Sequence, residues 1–297
     1  MPRSRATLVI ATLAGLLLAS LLTAGGAAAK PAKFTRYVAL GDSYTSGPLI
    51  PVQRADPAGC ARSTSNYPSL LAKRLHVRSF TDVSCGGAAT PHMTSPQQVA
   101  GGVNEPQFDA LRRDTNLVTV GIGGNDHNVF GSIVGVCPAL RESDPTGSPC
   151  KEHFTVDGVD TLKQATIDIG TRVEHVLDGI HQRSPRATVL VVGYPRIAPP
   201  TGTCPAILPF ADGDYTWVDS VEEALNDALA KAVADDGRAS FVDMYPASLG
   251  HDACAGKKAW IQGKDASEVA ASYHPRLSGM KGVAGQIKRD LARSARS

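Results

Sequence analysis

The chain has 297 residues, 42% hydrophobic and 20% charged, an ordinary globular balance with room for one large domain or two small ones. Its 30 basic and 28 acidic residues leave a net charge of +2, which implies neither nucleic acid nor an anionic membrane surface as a partner. Aromatic residues make up 5%, which also argues against a base-stacking platform.

Residues 1–29 read as a signal peptide. Arg3 and Arg5 give a basic start, and Leu8 to Leu22 is an apolar run too short for a comfortable membrane span. Ala27 and Ala29 fit the small-residue rule of signal peptidase. Cleavage after Ala29 leaves residues 30–297 as one domain, secreted and extracellular, with no stable membrane insertion. In an exported chain an even cysteine count suggests disulfides. Loop closure favours near neighbours, so the expected bridges are Cys60–Cys85, Cys137–Cys150 and Cys204–Cys254. No pair has CxxC spacing and no histidine stands at zinc-finger distance, so no metal is expected.

Arg36 to Leu40 reads as the first strand, ending at Gly41-Asp42-Ser43. Asn66 to Val77 reads as a helix, with Pro68 suited to its first turn and Tyr67, Leu70, Leu71 and Leu75 on one face. Arg78 to Val83 is the second strand, ending at Ser84-Cys85-Gly86-Gly87. Gly101, Gly102 and Pro106 break the segment from Ser95 to Arg113, which predicts a short, interrupted helix. Leu117 to Ile122 is a buried strand ending at Gly123-Gly124, and Asp126 to Asp157 reads as a long irregular segment.

Further on, Val159, Leu162, Thr166, Ile169, Val173, Val176 and Ile180 form one apolar stripe, predicting a helix from about Gly158 to Gln182. Thr188 to Val192 is a strand, Tyr194 to Tyr215 a proline-rich loop and Trp217 to Ala234 a second amphipathic helix. Ser240 to Val242 is a short strand, and Leu277 to Leu291 closes as a helix. Alternating strands and helices mean βαβ crossovers, hence an α/β fold: a three-layer α/β/α sandwich around a mostly parallel sheet.

Each glycine-marked strand end brings polar groups to one edge of that sheet: Ser43, Gly86 and Gly87, then Asn125 and Asp126. His274 follows, just before the last helix. A serine hydroxyl becomes a nucleophile when an imidazole takes its proton, and the resulting oxyanion needs prearranged donors. The N–H groups of Ser43 and Gly87 and the side-chain amide of Asn125 can supply three. Asp42 reads as an acceptor that ties down the turn. His127 and His251, both in loops, are rival bases to His274.

These residues resemble the SGNH (GDSL) hydrolases. The blocks are Gly41-Asp42-Ser43, Cys85-Gly86-Gly87-Ala88, Gly123-Gly124-Asn125-Asp126 and His274-Pro275, in the order of that family. The resemblance spans nearly all of residues 34–292 and is strongest to secreted actinobacterial lipases and esterases, which also carry three sequential cysteine pairs. It implies an SGNH hydrolase-like, flavodoxin-like fold and a secreted monomeric serine ester hydrolase, a lipase or esterase acting on lipid or short acyl esters without a cofactor. The α/β-hydrolase signature GxSxG is absent.

Two positions depart from the pattern. Ala271 stands where the family has aspartate, and Arg276 where many members have asparagine. A backbone carbonyl, that of Ala271 or Ser272, is therefore the expected partner for His274 Nδ1, with Asp252, Asp265 and Glu268 as the carboxylate rivals. Ile197, Ile207, Leu208 and Phe210 predict an apolar substrate rim on the loop after Tyr194. The competing functions are a carbohydrate O-deacetylase and a non-catalytic secreted binding protein. The competing place for the rim residues is inward, beneath the Cys204 bridge.

Overall fold

The computed structural model describes Met1 and residues 34–294, so the segment read as a signal peptide lies, Met1 apart, outside the described residues. Five strands form the central sheet: β1 (Arg36–Gly41), β2 (Ser79–Asp82), β3 (Leu117–Gly121), β4 (Thr188–Val192) and β5 (Ala239–Val242). Their order is β2-β1-β3-β4-β5 and every pairing is parallel. The chain reverses its direction of winding between β1 and β3. In open sheets that reversal leaves a crevice beyond the carboxyl ends of the strands.

The main helices are α1 (Ser43–Ser46), α2 (Tyr67–Leu75), α3 (Val129–Leu140), α4 (Thr161–Arg183), α5 (Asp214–Asp236) and α6 (Leu277–Ser294). Because side chains alternate along a strand, each sheet face acquires its own core. Tyr37, Ala39, Leu117, Leu190 and Val192 pack with Leu71 of α2 and with Met280, Val283 and Ile287 of α6. Val38, Leu40, Val118, Val120, Val189 and Val191 pack on the other face with Ile169, Val173 and Leu177 of α4 and Val221, Leu225 and Leu229 of α5. Each such aliphatic side chain contributes about 1.5–3 kcal/mol on burial. Side chains cap two of the helix starts: Asn66 accepts from Ser69 N–H at 3.0 Å and Asp160 from Lys163 N–H at 3.1 Å.

Two segments differ from the sequence reading. The interrupted helix expected over residues 95–113 is an antiparallel hairpin, Gln97–Val99 with Gly102–Asn104, followed by a 3-10 turn at Gln107–Ala110. Gly101 and Gly102 both take positive φ there, a turn conformation that competes with any helix. The segment 126–157, expected to be irregular, contains α3 and a short helix at Pro149–His153. Gly131, Gly135 and Pro138 mask α3 by propensity, yet Val129, Ile133 and Cys137, four apart, bury one face of it. The disulfides are Cys60–Cys85, Cys137–Cys150 and Cys204–Cys254, as expected. Among the described residues no helix is long and apolar enough to cross a membrane.

Candidate active site

Ser43 is placed by the end of β1. Gly41 there has φ +149°, and a Cβ on it would meet Thr45 Oγ1 at 2.3 Å and the Gly121 carbonyl at 2.6 Å, so only glycine fits. Its peptide groups are gripped by the fully buried Gln107. Gly41 N–H donates to Gln107 Oε1 at 2.7 Å, and Gln107 Nε2 donates to the Gly41 carbonyl at 2.9 Å. Asp42 N–H donates to the Gly121 carbonyl at 3.0 Å, fastening the turn to β3. Asp42 then caps α1, accepting from Tyr44 N–H at 2.9 Å, and Ser43 is the first residue of that helix, 7% exposed.

The second Asp42 oxygen accepts from the Tyr194 hydroxyl at 2.5 Å, and that hydroxyl accepts from Gly124 N–H at 2.9 Å. One chain of bonds thus joins the serine turn to the Gly124-Asn125 turn. Burial pushes the Asp42 carboxyl up to about 7, against the hydrogen bonds from Tyr194 and Tyr44 that hold it down.

The expected oxyanion donors also lie at strand ends. Neither Ser43 N–H nor Gly87 N–H has an acceptor among the described residues. Gly87 has φ +74°, and a Cβ there would meet nothing closer than Gln97 Nε2 at 3.8 Å, so its side of the chain is open. Asn125 Nδ2 donates to the Ala88 carbonyl at 2.9 Å, which brings the amide beside Gly87 and leaves its second N–H for a ligand. Asp126 accepts from Thr90 N–H at 2.9 Å and from Thr90 Oγ1 at 2.5 Å, holding the two loops together.

His274 sits half-buried between the rings of Tyr44 and Phe130, with centroids 5.4 Å away in each case. Its Nδ1 lies 2.6 Å from the Ser272 carbonyl, while the Ala271 carbonyl accepts the histidine's own backbone N–H at 3.2 Å. Of the two expected main-chain partners, Ser272 meets the ring. Burial lowers the His274 pKa below the ordinary histidine value, and the Ser272 carbonyl partly opposes that.

Asp265 pairs with Lys264, and Asp252 accepts from Cys254 N–H at 2.9 Å. Among the described residues no carboxylate hydrogen-bonds His274. The rival histidines are engaged otherwise: His127 pairs with Asp168, while His251 stacks on Trp260 at 4.5 Å and bonds the Lys258 carbonyl. Arg276, at the second departure from the family pattern, donates to Gln262 Oε1 at 2.8 Å.

Ser43 and Asn125 open onto a pocket whose walls include Val129, Phe130, Ile133, Ile197, Val221 and Leu225. Here the expected rim needs correction. Ile197 is part of the wall, but Leu208 and Phe210 are fully buried in the core. Ile207 is 42% exposed and lines a separate groove with Cys254 and Gly263. The Cys204–Cys254 bridge draws the loop inward, as do hydrogen bonds of the Tyr215 hydroxyl to the Leu208 carbonyl (2.5 Å) and from Cys204 N–H (3.0 Å). Gln107, Tyr194 and Glu222 have no functional role in the sequence reading. Nothing local marks them, since each matters through a partner distant in the chain.

A hydroxyl at a switch-point strand end, with unpaired amides and a neutral imidazole nearby, suits acyl transfer, and the chain is a carboxylic ester hydrolase of the lipase and esterase class. It belongs to the GDSL-like lipase/acylhydrolase family, whose model matches residues 39–281. It is 38% identical over 273 residues to Lipase 2 of Streptomyces coelicolor, an alignment covering 89% of each chain. The crystal structure of phospholipase A1 from Streptomyces albidoflavus superposes with a TM-score of 0.71 at 28% identity, covering 86% of this chain and 99% of that one. The extracellular lipase of Streptomyces rimosus gives 0.69 at 28% identity over the same shares.

Proposed function

We propose that this protein is an exported esterase or lipase that works through an acyl-enzyme on Ser43. The observation that carries this reading is the His274 ring, tied to the Ser272 carbonyl and packed on Tyr44, the residue after Ser43. His274 Nε2 takes the Ser43 hydroxyl proton as Oγ bonds the ester carbonyl carbon. The carbonyl oxygen becomes an oxyanion, held by Ser43 N–H, Gly87 N–H and Asn125 Nδ2. Collapse breaks the ester C–O bond, and His274 passes its proton to the departing alcohol. Water then attacks the acyl-enzyme, giving its proton to His274, and the acid leaves as Ser43 recovers its own. Nδ1–H donating to a neutral carbonyl fixes the tautomer that leaves Nε2 free as the base.

Apolar walls beside Ser43 favour an alkyl acyl chain over a sugar, which more often meets stacking aromatics and polar groups. Residues 1–29 serve as the signal peptide and 30–297 as a single hydrolase domain. Three disulfides, and the likeness to an extracellular lipase, support export. The test is a panel of nitrophenyl esters from acetyl to palmitoyl beside acetylated xylan, with wild type and Ser43→Ala, together with organophosphonate labelling. The expected result is turnover of the simple esters, labelling at Ser43 and loss of both in Ser43→Ala. Unchanged turnover in the variant would refute the nucleophile, absence of labelling would favour a non-catalytic binding protein, and preference for xylan would favour a deacetylase.

A further inference from the structure

The pocket beside Ser43 has one polar group that the chemistry above does not use. Glu222, on α5, lines the pocket next to Val221 and Leu225 and is 94% buried, its exposure being 6%. One carboxyl oxygen, Oε2, accepts from Ile197 N–H at 2.8 Å. The other, Oε1, is buried with no hydrogen-bond partner among the described residues. Arg196, whose charge acts on Glu222, pairs through Nη1 with Asp219 and carries its Cζ 3.4 Å above the Tyr245 ring centroid, and its own Nε is likewise buried without a partner among the described residues. Burial raises the Glu222 carboxyl well above the usual carboxylate range, which favours its neutral form, opposed by Ile197 N–H and by Arg196. In that form the carboxyl both donates and accepts, and an oxygen left buried and unpaired is unfavourable until a ligand group meets it.

We propose that Glu222 sets the substrate class: its free Oε1 is the hydrogen-bonding end of the acyl pocket and selects esters whose acyl chain carries a hydroxyl or oxo group over plain alkyl chains. The inference rests on the reading of Ser43 as the nucleophile of that pocket. The apolar walls bind the methylenes, and a chain oxygen reaching Oε1 relieves the unpaired oxygen. A plain chain leaves it unpaired, and a site built to pair a polar group discriminates against the analogue that lacks it.

The experiment compares kcat/KM for ethyl hexanoate with that for its 3-hydroxy, 4-oxo, 5-oxo and 6-hydroxy counterparts, followed by pH-stat titration. It uses the full chain as wild type, Glu222→Gln and Glu222→Met. The ratio of oxygenated to plain ester is independent of the fraction of each preparation that is folded. In wild type the best oxygenated ester is expected to exceed the plain one by about tenfold or more, the scale of one hydrogen bond. Glu222→Gln, which keeps an acceptor for Ile197 and a donor for the ligand, should retain most of that preference. Glu222→Met should bring the ratio to one or below. A wild-type ratio near one for all four esters, or a ratio unchanged in Glu222→Met, overturns the proposal and leaves Glu222 as a structural acceptor for Ile197. Organophosphonate labelling of Ser43 is read in the same preparations. Failure to label wild type refutes the nucleophile itself and the selectivity with it, whereas normal labelling with an unchanged ratio refutes only the role of Glu222.

Discussion

The Tyr44 hydroxyl donates to the Tyr273 carbonyl at 2.7 Å, so the residue after Ser43 holds the residue before His274 across 229 positions of sequence. The same Tyr44 ring packs against His274, and Tyr273 sits in the left-handed region with φ +59°, a conformation that needs support in a residue with a side chain. Tyr44→Phe keeps the ring and removes the bond. Its cost in stability should be about 1–3 kcal/mol, from a buried carbonyl left unpaired. Because His274 loses its anchor, kcat should fall by about 10- to 100-fold with KM for a short ester little changed. A variant that is destabilised but retains wild-type kcat would show that Tyr44 only packs the core.

The pH profile follows from the imidazole. Burial lowers the His274 pKa, and only the neutral ring can accept the serine proton, so activity rises with pH and levels off once the ring is neutral. The acid limb of kcat/KM should therefore lie below the ordinary histidine range. Asp42, pushed up to about 7 by burial, is the other group near Ser43 that titrates in this window. Asp42→Asn tells the two apart: a limb that disappears in that variant belongs to the aspartate. Alanine at Asp252, Asp265 or Glu268 should leave kcat within a few-fold of wild type. A loss on the order of 10⁴ at any of them, the scale of removing a triad aspartate, would mean that a carboxylate orients His274 during turnover.

Asn125 bonds the Ala88 carbonyl through one N–H and has a second to offer. Asn125→Ala should raise the barrier of the acylation step by about 3 kcal/mol, a loss of 10²–10³ in kcat, if the amide meets the oxyanion. Transition-state binding alone predicts little change in KM. Comparing single-turnover rates with KM for a short ester checks this, and a KM effect without a kcat effect would assign Asn125 to ground-state binding.

The bridges divide between stability and the site. A disulfide is typically worth about 2–4 kcal/mol, so reduction should lower Tm, and non-reducing peptide mapping should recover Cys60–Cys85, Cys137–Cys150 and Cys204–Cys254. Only Cys60–Cys85 adjoins an expected oxyanion donor, since the Cys60 carbonyl accepts from Gly86 N–H at 2.9 Å. Replacing both of those cysteines by alanine should lower kcat at temperatures where the variant is still folded. Replacing Cys137 and Cys150 should lower Tm alone. Equal kcat in the two double variants would show that the Gly87 turn does not depend on its bridge.

The α/β class, the five strands and the cysteine pairing are legible in the sequence alone, as are two amphipathic helices expected at about 158–182 and 217–234 and found at Thr161–Arg183 and Asp214–Asp236. Strand and helix periods, glycines at strand ends and the short-loop preference for neighbouring cysteines are all local or nearly local signals. It also placed Ser43, Gly87 and Asn125 at successive strand ends, because parallel strands carry their following turns to one edge. Tertiary structure decided what those signals leave open. Local composition missed the hairpin at 97–104 because its turn glycines also interrupt a helical pattern, and it missed α3 because burial outweighs the low propensity of Gly131, Gly135 and Pro138. The reach of Gln107 to Gly41 over 66 residues, and of Tyr194 to Asp42 over 152, has no sequence signature at all. The same holds for the choice of Ser272 over Ala271, for Leu208 and Phe210 turning inward, and for the unpaired oxygen of Glu222. Each of these depends on which side chain arrives from another part of the chain once the strands are in register, and packing geometry rather than local pattern sets that.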